Sequence, residues 1–364
     1  MADIKMVSNS KDNHLDSLKK LFIKNANRIL IVSPYLAKDL KSLLNEFNFE
    51  NIESVELITT FKANDPEQIT KPQTLKTYFE FFSTNYPDVK IKLHIDNLLH
   101  GKIYVTTKEE THIAILGSAN FTRRGLCDNH EWGVFIKDDE VIDNIIEDLY
   151  NSIEYEDVTY NQIKKSCLFA DQYERDNSGW NKQPEVTADF LKRIYSVDDS
   201  ENLEPKYFLK PIGVSDNPVL LEDKRDFSDI HQNLHFSKKK PSGVRKGDIV
   251  ITVGVGGGAL LTYFKVTGGL EHATDDEIKK DAWKERWPWF MEGRNQTPEF
   301  SKAWWDHNLQ VSVLLEKFLK KYPAIPVTKA GGFGLGTLNF GSDKVRITKE
   351  FGDFIINNIV KIKE

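Results

Sequence analysis

Five polar residues in one stretch of the chain have side chains suited to phosphoryl transfer. They are His100, Lys102, Ser118, Asn120 and Glu131. A neutral imidazole can attack phosphorus while a lysine ammonium neutralises the negative charge of the transition state. Hydroxyl and amide groups can donate to the nonbridging oxygens, and a carboxylate can hold the second ring nitrogen of the histidine and fix its tautomer. These residue types therefore predict a phosphodiesterase active site.

The spacing of these residues predicts that strand ends bring them together. Alternation along a strand places His100, Lys102 and Tyr104 on one face. Gly117 follows the apolar run 112–116 and directly precedes the serine, and a third apolar run begins just after the glutamate. The stretch has no cluster of carboxylates of the kind that holds Mg²⁺. We therefore expect chemistry that uses neither a metal ion nor another cofactor.

Strands and helices are predicted to alternate around this stretch. Apolar runs predict strands at 28–32, 55–60 and 89–95, and helical spacing of apolar residues predicts helices at 14–25, 36–47 and 141–153. Asp65 and Pro66 are typical of a helix N-terminus with the aspartate as the cap, and that helix is predicted to continue to Phe82. Such alternation predicts an α/β fold, an α/β/α sandwich around a mainly parallel or mixed sheet.

Length and composition predict two domains. The chain has 364 residues, 40% of them hydrophobic, so each half can bury a core. We expect a domain that carries the polar motif at 1–155, a connector at 156–200 and a second domain at 201–364. The clear helix predicted within the polar connector lies at roughly 185–195.

Several features predict a cytoplasmic protein. The two cysteines, Cys127 and Cys167, form no Cys-x-x-Cys pair, which fits a reducing compartment. The first residues are charged and lack the apolar core of a signal peptide, and no window reaches the roughly 20 apolar residues of a membrane helix. The formal net charge of −6 excludes a uniformly basic surface but allows a local basic patch.

The C-terminal half is predicted to be rich in short strands. Strands are expected at 207–212, 249–255, 259–266 and 286–290, and Gly256 to Gly258 is typical of a hairpin turn. This pattern predicts a small β-barrel or pseudobarrel. Basic residues that lie near aromatic ones suit nucleic acid. The candidate DNA contacts are Lys238, Lys239, Lys240, Arg245, Lys246, Arg286 and Arg294.

The motif residues resemble those of a known family. His-x-Lys, then Gly-Ser-x-Asn, then a glutamate 11 residues after the asparagine, is similar to the phospholipase D superfamily. The His-x-Lys-x4-Asp (HKD) pattern of that superfamily has an aspartate where this chain has Thr107. The restriction-endonuclease branch, the BfiI- and NgoFVII-type enzymes, also lacks that aspartate, and Glu131 resembles its replacement. This chain therefore resembles the restriction-endonuclease branch more closely than it resembles the phospholipid-cleaving members.

The resemblance implies a mechanism and an assembly. One histidine attacks phosphorus and forms a phosphohistidine, a second histidine protonates the leaving oxygen, and water resolves the intermediate. The chain offers one such motif, so two copies would pair with both motifs at a two-fold interface. The resemblance implies double-stranded DNA as the substrate, and some relatives also need a separate ATPase or helicase partner.

The resemblance also implies a role for the second domain. Restriction enzymes of this branch carry a B3-like DNA-recognition domain behind the nuclease domain, which matches the position of the predicted barrel. The segment from His235 to Pro288 also resembles a PUA- or EVE-type barrel, which would suit the reading of a flipped, modified base. Three functions stay open: a site-specific endonuclease, a nonspecific phosphodiesterase, and a DNA-binding module whose nuclease half is a dimerisation scaffold.

Overall fold

The chain forms two structural units. The computed structural model describes residues 3–10, 12–24, 26–177, 186–198, 204–214, 217–236, 243–307, 309–336 and 343–363. One unit comprises Met1–Asp143 and Ile153–Leu203, and the other comprises Asn144–Ser152 and Glu204–Glu364. Within the described ranges, each helix is too short or too polar to cross a membrane.

The first unit is organised around a seven-stranded mixed sheet. Its strands are β1 (Asp3–Ser8), β2 (Arg28–Val32), β3 (Ser54–Thr59), β4 (Lys90–Ile95), β5 (Lys102–Lys108), β6 (Thr111–Gly117) and β7 (Trp132–Lys137). Their order is β1-β7-β6-β5-β2-β3-β4. Strands β2, β3 and β4 run parallel, and the other neighbours are antiparallel. The predicted α/β class with a mixed sheet is confirmed.

Six helices lie in the described part of residues 1–203, and the part of the fourth from Asn144 onward belongs to the second unit. The helices are α1 (His14–Lys24), α2 (Leu40–Leu44), α3 (Glu67–Asn85), α4 (Asp139–Ser152), α5 (Tyr160–Asp176) and α6 (Phe190–Asp198), with a single π-helical turn at Arg124–Asp128. The ring centroid of Phe49 lies 4.9 Å from that of Phe82 in α3 and 6.1 Å from that of Phe22 in α1. These buried rings join the two helices in one core.

The sequence does not predict two elements of the first unit. Strand β1 pairs antiparallel with β7, and its charged residues obscure the strand pattern. Helix α5 lies in the segment predicted as a connector, where it packs against α3. It begins with a capping box formed by Thr159 and Gln162. Only a narrow face of α5 is buried, and Ile163 and Ala170 are among its few buried apolar residues. The sequence of α5 therefore lacks a clear helical pattern of apolar residues.

The boundaries of two helices differ from the predicted ones. Helix α2 covers Leu40–Leu44, which is shorter than the predicted 36–47. Helix α3 begins at Glu67 with Pro66 as its cap. The prediction of Asp65 as the cap and Pro66 as the first helical residue is therefore wrong by one residue, although the Asp65 carboxylate accepts a hydrogen bond from the Glu67 backbone N–H at 2.9 Å.

The second unit contains a six-stranded mixed sheet. Its strands are β8 (Tyr207–Ile212), β9 (His231–Phe236), β10 (Ile249–Gly254), β11 (Leu260–His272), β12 (Trp289–Asn295) and β13 (Val345–Ile347), in the order β13-β8-β10-β11-β12-β9. Its further helices are α7 (Asp275–Lys280), α8 (Pro298–Ser301), α9 (Trp304–His307), α10 (Val311–Lys321) and α11 (Lys349–Val360). The core of this unit includes Phe318 and Phe351, whose ring centroids lie 5.1 Å apart.

The strand pattern of the second unit agrees in part with the prediction. Strands β10 and β11 form the predicted antiparallel hairpin, and Gly256 and Gly258 adopt φ angles of 104° and 65° in its turn. The strand predicted at 286–290 begins only at Trp289, because a 3₁₀ turn at Ala282–Glu285 extends to Arg286. Among the described residues the edge strands β13 and β9 do not pair, and closure into a barrel stays a prediction.

Candidate active site

One row of paired residues places the motif at a single edge of the first sheet. Lys102 at the start of β5 lies opposite Gly117 at the end of β6. Gly117 in turn lies opposite Gly133 at the start of β7. Because these strands are antiparallel, the residues just before Lys102, just after Gly117 and just before Gly133 share this edge. His100, Ser118 and Glu131 therefore lie at this edge of the sheet, which we call the catalytic edge.

The His-x-Lys pair combines an exposed imidazole with a buried ammonium. His100 is exposed, whereas Lys102 retains 8% exposure. Lys102 Nζ donates to the His100 carbonyl oxygen at 2.7 Å and lies 3.4 Å from His100 Nδ1. Burial lowers the pKa of Lys102, and the negative charge of Glu131 acts in the opposite direction. The expectation that both residues lie on one strand is wrong, because β5 begins at Lys102 and the histidine precedes it.

Ser118 and Glu131 are hydrogen-bonded to each other. The Ser118 hydroxyl donates to Glu131 Oε2, and the Trp132 backbone N–H donates to Ser118 Oγ at 3.2 Å. The Asn129 amide lies 3.4 Å from Glu131 Oε1. The expected hydrogen bond between Glu131 and His100 is not formed between these two described residues, because the carboxylate faces the serine.

Two glycines allow β6 and β7 to approach closely at this edge. A Cβ atom on Gly117 would lie 2.5 Å from the Trp132 carbonyl oxygen and 2.7 Å from the Gly133 Cα. A Cβ on Gly133 would lie 2.9 Å from Nε2 of His14. Any larger residue at Gly117 would therefore push apart the two strand ends that carry Ser118 and Glu131.

The turn that carries Asn120 is fixed by buried hydrogen bonds. The Tyr104 hydroxyl donates to the Ala119 carbonyl oxygen at 2.7 Å, and the Phe121 backbone N–H donates to Ser33 Oγ at 2.9 Å. Burial, with the Glu131 charge, raises the pKa of Tyr104, so its hydroxyl stays a donor. Asn120 Oδ1 is buried and has no hydrogen-bond partner among the described residues. The backbone on both sides of Asn120 is thus held in place, and its Oδ1 can still accept a hydrogen bond.

Sequence reasoning missed two residues at this site, His14 and Asn9. His14 is the first residue of α1 and is fully buried. Its Nδ1 lies 2.7 Å from Asn9 Oδ1, and the Asn9 backbone N–H donates to the Glu131 carbonyl oxygen at 3.2 Å. No motif spacing indicates either residue, because both lie far upstream in the sequence.

The other histidines near the motif have structural contacts. His112 Nδ1 lies 2.8 Å from Thr107 Oγ1, and its Nε2 lies 3.1 Å from Asp143 Oδ1. Thr107 is thus paired at the opposite end of β5 from Lys102. The buried His94 lies 3.1 Å from a Glu56 carboxylate oxygen, and His130 is exposed beside the site. None of these contacts involves the five motif residues.

The structure brings only some of the predicted DNA contacts together. Lys238, Lys239 and Lys240 lie outside the described residues. Arg294 pairs with Lys265 across β12 and β11, and Lys265 pairs with Ile249 in β10, next to the turn that carries Arg245 and Lys246. Arg286 precedes the other end of β12, with its guanidinium 4.8 Å from the Trp287 ring centroid. The sequence did not indicate Lys265, which is exposed.

Arg245 has contacts that compete with a role in DNA binding. Its Nε lies 3.7 Å from Asp248 Oδ1, and its guanidinium donates to the Glu204 carbonyl oxygen at 3.2 Å. Lys246, Lys265 and Arg294 are exposed. These three therefore form the basic end of the second sheet, a surface that excludes Arg286.

The family comparison agrees with this geometry. Residues 20–152 match the family described as "Cardiolipin synthase, PLD-like domain". The matched range contains all five motif residues and six of the seven strands of the first sheet. The chain therefore contains a phospholipase D-like domain. No curated protein matches the chain.

Part of the chain also matches solved structures. NucT from Helicobacter pylori is 16% identical, with a TM-score of 0.29, and the match covers 46% of this chain and 98% of that one. Nuc from Salmonella typhimurium, a phospholipase D family member, is 16% identical, with a TM-score of 0.29 and coverages of 43% and 98%. A mutant of yeast tyrosyl-DNA phosphodiesterase is 12% identical, with a TM-score of 0.26 and coverages of 58% and 52%.

Proposed function

We propose that this protein is a metal-independent restriction endonuclease that hydrolyses DNA through a phosphohistidine on His100. The observation that carries the proposal is the catalytic edge, where a buried ammonium lies 3.4 Å from an exposed imidazole nitrogen. Charge held in a partly dry site stabilises an anionic transition state more strongly than charge in water. The matched phospholipase D-like domain supports the phosphodiesterase chemistry.

The first step of the proposed reaction transfers the phosphoryl group to the enzyme. A ring nitrogen of His100 forms the bond to phosphorus, and the bond from phosphorus to the leaving sugar oxygen breaks. Lys102 neutralises the nonbridging oxygens, and the side-chain N–H of Asn120 donates to one of them. Ser118 turns from Glu131 to the phosphate, which frees the carboxylate to accept the second ring N–H of His100. A second histidine protonates the leaving oxygen, and water then cleaves the phosphorus–nitrogen bond.

The second histidine comes from another copy of the chain in this proposal. The sequence has one His-x-Lys with a following Gly-Ser-x-Asn, so one chain supplies one such histidine. One face of β1 and β7 is apolar and exposed, with Ile4 at 62%, Met6 at 67%, Trp132 at 59% and Val134 at 39% exposure. Met6 lies opposite Val134, and this face begins at Trp132, beside Ser118. A self-complementary apolar patch of this kind supports a two-fold homodimer that completes the site.

The second unit selects the DNA site in this proposal. Its basic end, formed by Lys246, Lys265 and Arg294, supplies exposed charge for phosphate contacts. The domain boundaries at 155 and 201, the B3-like assignment and a separate ATPase or helicase partner belong to the same proposal. A PUA- or EVE-like domain that reads a modified base is the alternative for this unit. A nonspecific phosphodiesterase is the alternative for the whole chain.

Cleavage of plasmid DNA in EDTA tests the chemistry. We expect cutting at fixed positions by the unmodified protein and none by the His100→Ala variant. A covalent adduct of His100 with a short oligonucleotide, trapped by rapid denaturation at alkaline pH, where the phosphorus–nitrogen bond survives, and identified by mass spectrometry, would exclude a DNA-binding scaffold without enzymatic activity. Cutting that is abolished by chelation but intact in His100→Ala would contradict the proposal. Random cut positions would instead favour the nonspecific phosphodiesterase.

A further inference from the structure

The buried imidazole of His14 has an unused nitrogen beside the catalytic edge. The side chain is fully buried, and Nε2 has no hydrogen-bond partner among the described residues. A buried polar atom without a partner costs free energy, so it is rare unless it has a further role. His14 Nε2 occupies the space that a side chain on Gly133 would fill, because a Cβ on Gly133 would lie 2.9 Å from His14 Nε2.

The surroundings of Asn9 fix the tautomer of His14. Asn9 Nδ2 donates to the carbonyl oxygens of Gly125 and Asn129, each at 2.9 Å. Its Oδ1 accepts from the His14 backbone N–H at 3.0 Å and lies 2.7 Å from His14 Nδ1. Because Oδ1 can only accept, Nδ1 carries the proton. The lone pair of the neutral ring is therefore on Nε2.

This lone pair lies near the start of β7, which Glu131 directly precedes. His14 Nε2 occupies the position that a side chain on Gly133 would fill, and Gly133 is two residues after Glu131 in the chain. Asn9 also connects the two residues, because its backbone N–H donates to the Glu131 carbonyl oxygen at 3.2 Å.

Glu131 is the charge that acts on His14. Burial lowers the pKa of His14, and the Glu131 carboxylate opposes this effect. Hence the free protein holds His14 neutral at pH 7. The other titratable or charged groups on the elements around it include Asp3 and Lys5 of β1, Lys102, Tyr104 and Lys108 of β5, Arg124, Cys127 and Asp128 of the π-helical turn, and Asp12, Asp16, Lys19 and Lys20 on or beside its own helix.

We infer that His14 is a positioning residue for Glu131, and that binding of a phosphodiester anion places one proton between His14 Nε2 and the Glu131 carboxylate. The inference rests on the proposed function of the catalytic edge. A phosphate anion beside an ionised carboxylate is repelled, and one proton taken from solvent removes that repulsion. The lone pair of Nε2 receives it, and no other bond changes. The second carboxylate oxygen stays free for the ring N–H of His100.

Isothermal titration calorimetry of DNA binding measures the number of protons that the protein takes up. A short duplex is titrated into the His100→Ala variant, which cannot cut it and cannot take up a proton on residue 100. Heats recorded in two buffers of different ionisation enthalpy give the number of protons bound. We expect about one proton per site, and an affinity that falls about tenfold per pH unit above the pKa of the bound pair.

Two substitutions of His14 separate the proton site from a structural role. In the same His100→Ala background, His14→Asn keeps a donor toward Asn9 but removes the Nε2 position, whereas His14→Gln places an amide there that cannot gain a proton. Both variants are expected to bind DNA without proton uptake. His130→Asn, at the exposed histidine beside the site, is the matched control and should keep it.

Each outcome decides the inference. Unchanged proton uptake in folded His14→Asn or His14→Gln would overturn it, while absence of DNA binding at every pH would instead overturn the proposed function. If neither variant folds, ¹⁵N NMR of the histidine rings in the unsubstituted His14 protein decides. A proton that appears on Nε2 of His14 when the duplex is added supports the inference, and an unchanged Nε2 signal contradicts it.

Discussion

Gly117 and Gly133 face each other across β6 and β7 with no room for a side chain between them. A Cβ on Gly117 would lie 2.7 Å from the Gly133 Cα and 2.5 Å from the Trp132 carbonyl oxygen, which is backbone that cannot easily move. This contact sets the separation of Ser118 and Glu131, the two motif residues that follow and precede the glycines. The glycine of the Gly-Ser-x-Asn motif is thus required by packing.

Gly117→Ala is therefore expected to destabilise the protein and to lower its activity. Overpacking of this kind costs about 1–3 kcal/mol, and the strands must separate where the motif residues Ser118 and Glu131 lie. Urea denaturation and a cleavage assay measure the two effects. Gly257→Ala is the control, because a Cβ at Gly257 meets no atom within 4 Å. Equal stability of the two variants would show that the strand contact is not tight.

Lys102→Met is expected to lower kcat with little effect on folding. The side chain keeps its buried stem but loses the ammonium that lies 3.4 Å from His100 Nδ1. Loss of one electrostatic contact to a transition state typically costs about 10²–10³-fold in kcat. Steady-state cleavage kinetics provide the measurement, and Lys108→Met at the exposed end of the same strand is the control. A change confined to KM would assign Lys102 to substrate binding alone.

Asp96→Asn is expected to stabilise the protein at neutral pH. Burial raises the pKa of Asp96 to about 6, against about 3.9 in the unfolded chain. Between these values the folded state binds more protons than the unfolded state, so stability falls as pH rises from about 4 to about 6. The loss is at most about 3 kcal/mol. Asparagine keeps the acceptor that binds the Leu98 N–H at 2.9 Å but carries no charge.

Urea denaturation at about pH 4 and about pH 7.5 checks the Asp96 prediction. The variant should match the parent protein at the lower pH and exceed it at the higher one. Asp88→Asn, at an exposed residue, should behave like the parent at both. A variant that is less stable than the parent at pH 7.5 would mean that the ionised carboxylate is stabilising.

Val134→Lys is expected to dissociate the proposed dimer and to abolish cleavage. The charge would lie in the apolar face of β1 and β7, opposite the exposed Met6. Burial of an unpaired ammonium in an interface is unfavourable. Sedimentation velocity gives the oligomeric state, and the cleavage assay gives the activity. Val313→Lys in α10 is the control, because the two valines are similarly exposed, at 42% for Val313 and 39% for Val134. A fully active monomer would contradict the requirement for a second copy.

The sequence by itself determined which polar residues share the motif and the class of the fold. His100, Lys102, Ser118, Asn120 and Glu131 lie close together in sequence, and short apolar runs separate them. Adjacent antiparallel strands bring such segments together through local connections, so their spacing alone predicts a shared edge. Alternating strands and helices likewise indicated the α/β class, because periodicity is a local property.

Only the tertiary structure decided which distant residues join the site. His14 and Asn9 reach Glu131 because β1 pairs with β7, a contact between opposite ends of the first unit that no local pattern encodes. The separation of Arg286 from Arg294 depends likewise on where β12 begins, which a 3₁₀ turn sets. Strand register and close approach are non-local, since each depends on which segments share the sheet. The sequence thus defined the polar groups of the motif, and the pairing of strands defined what surrounds them.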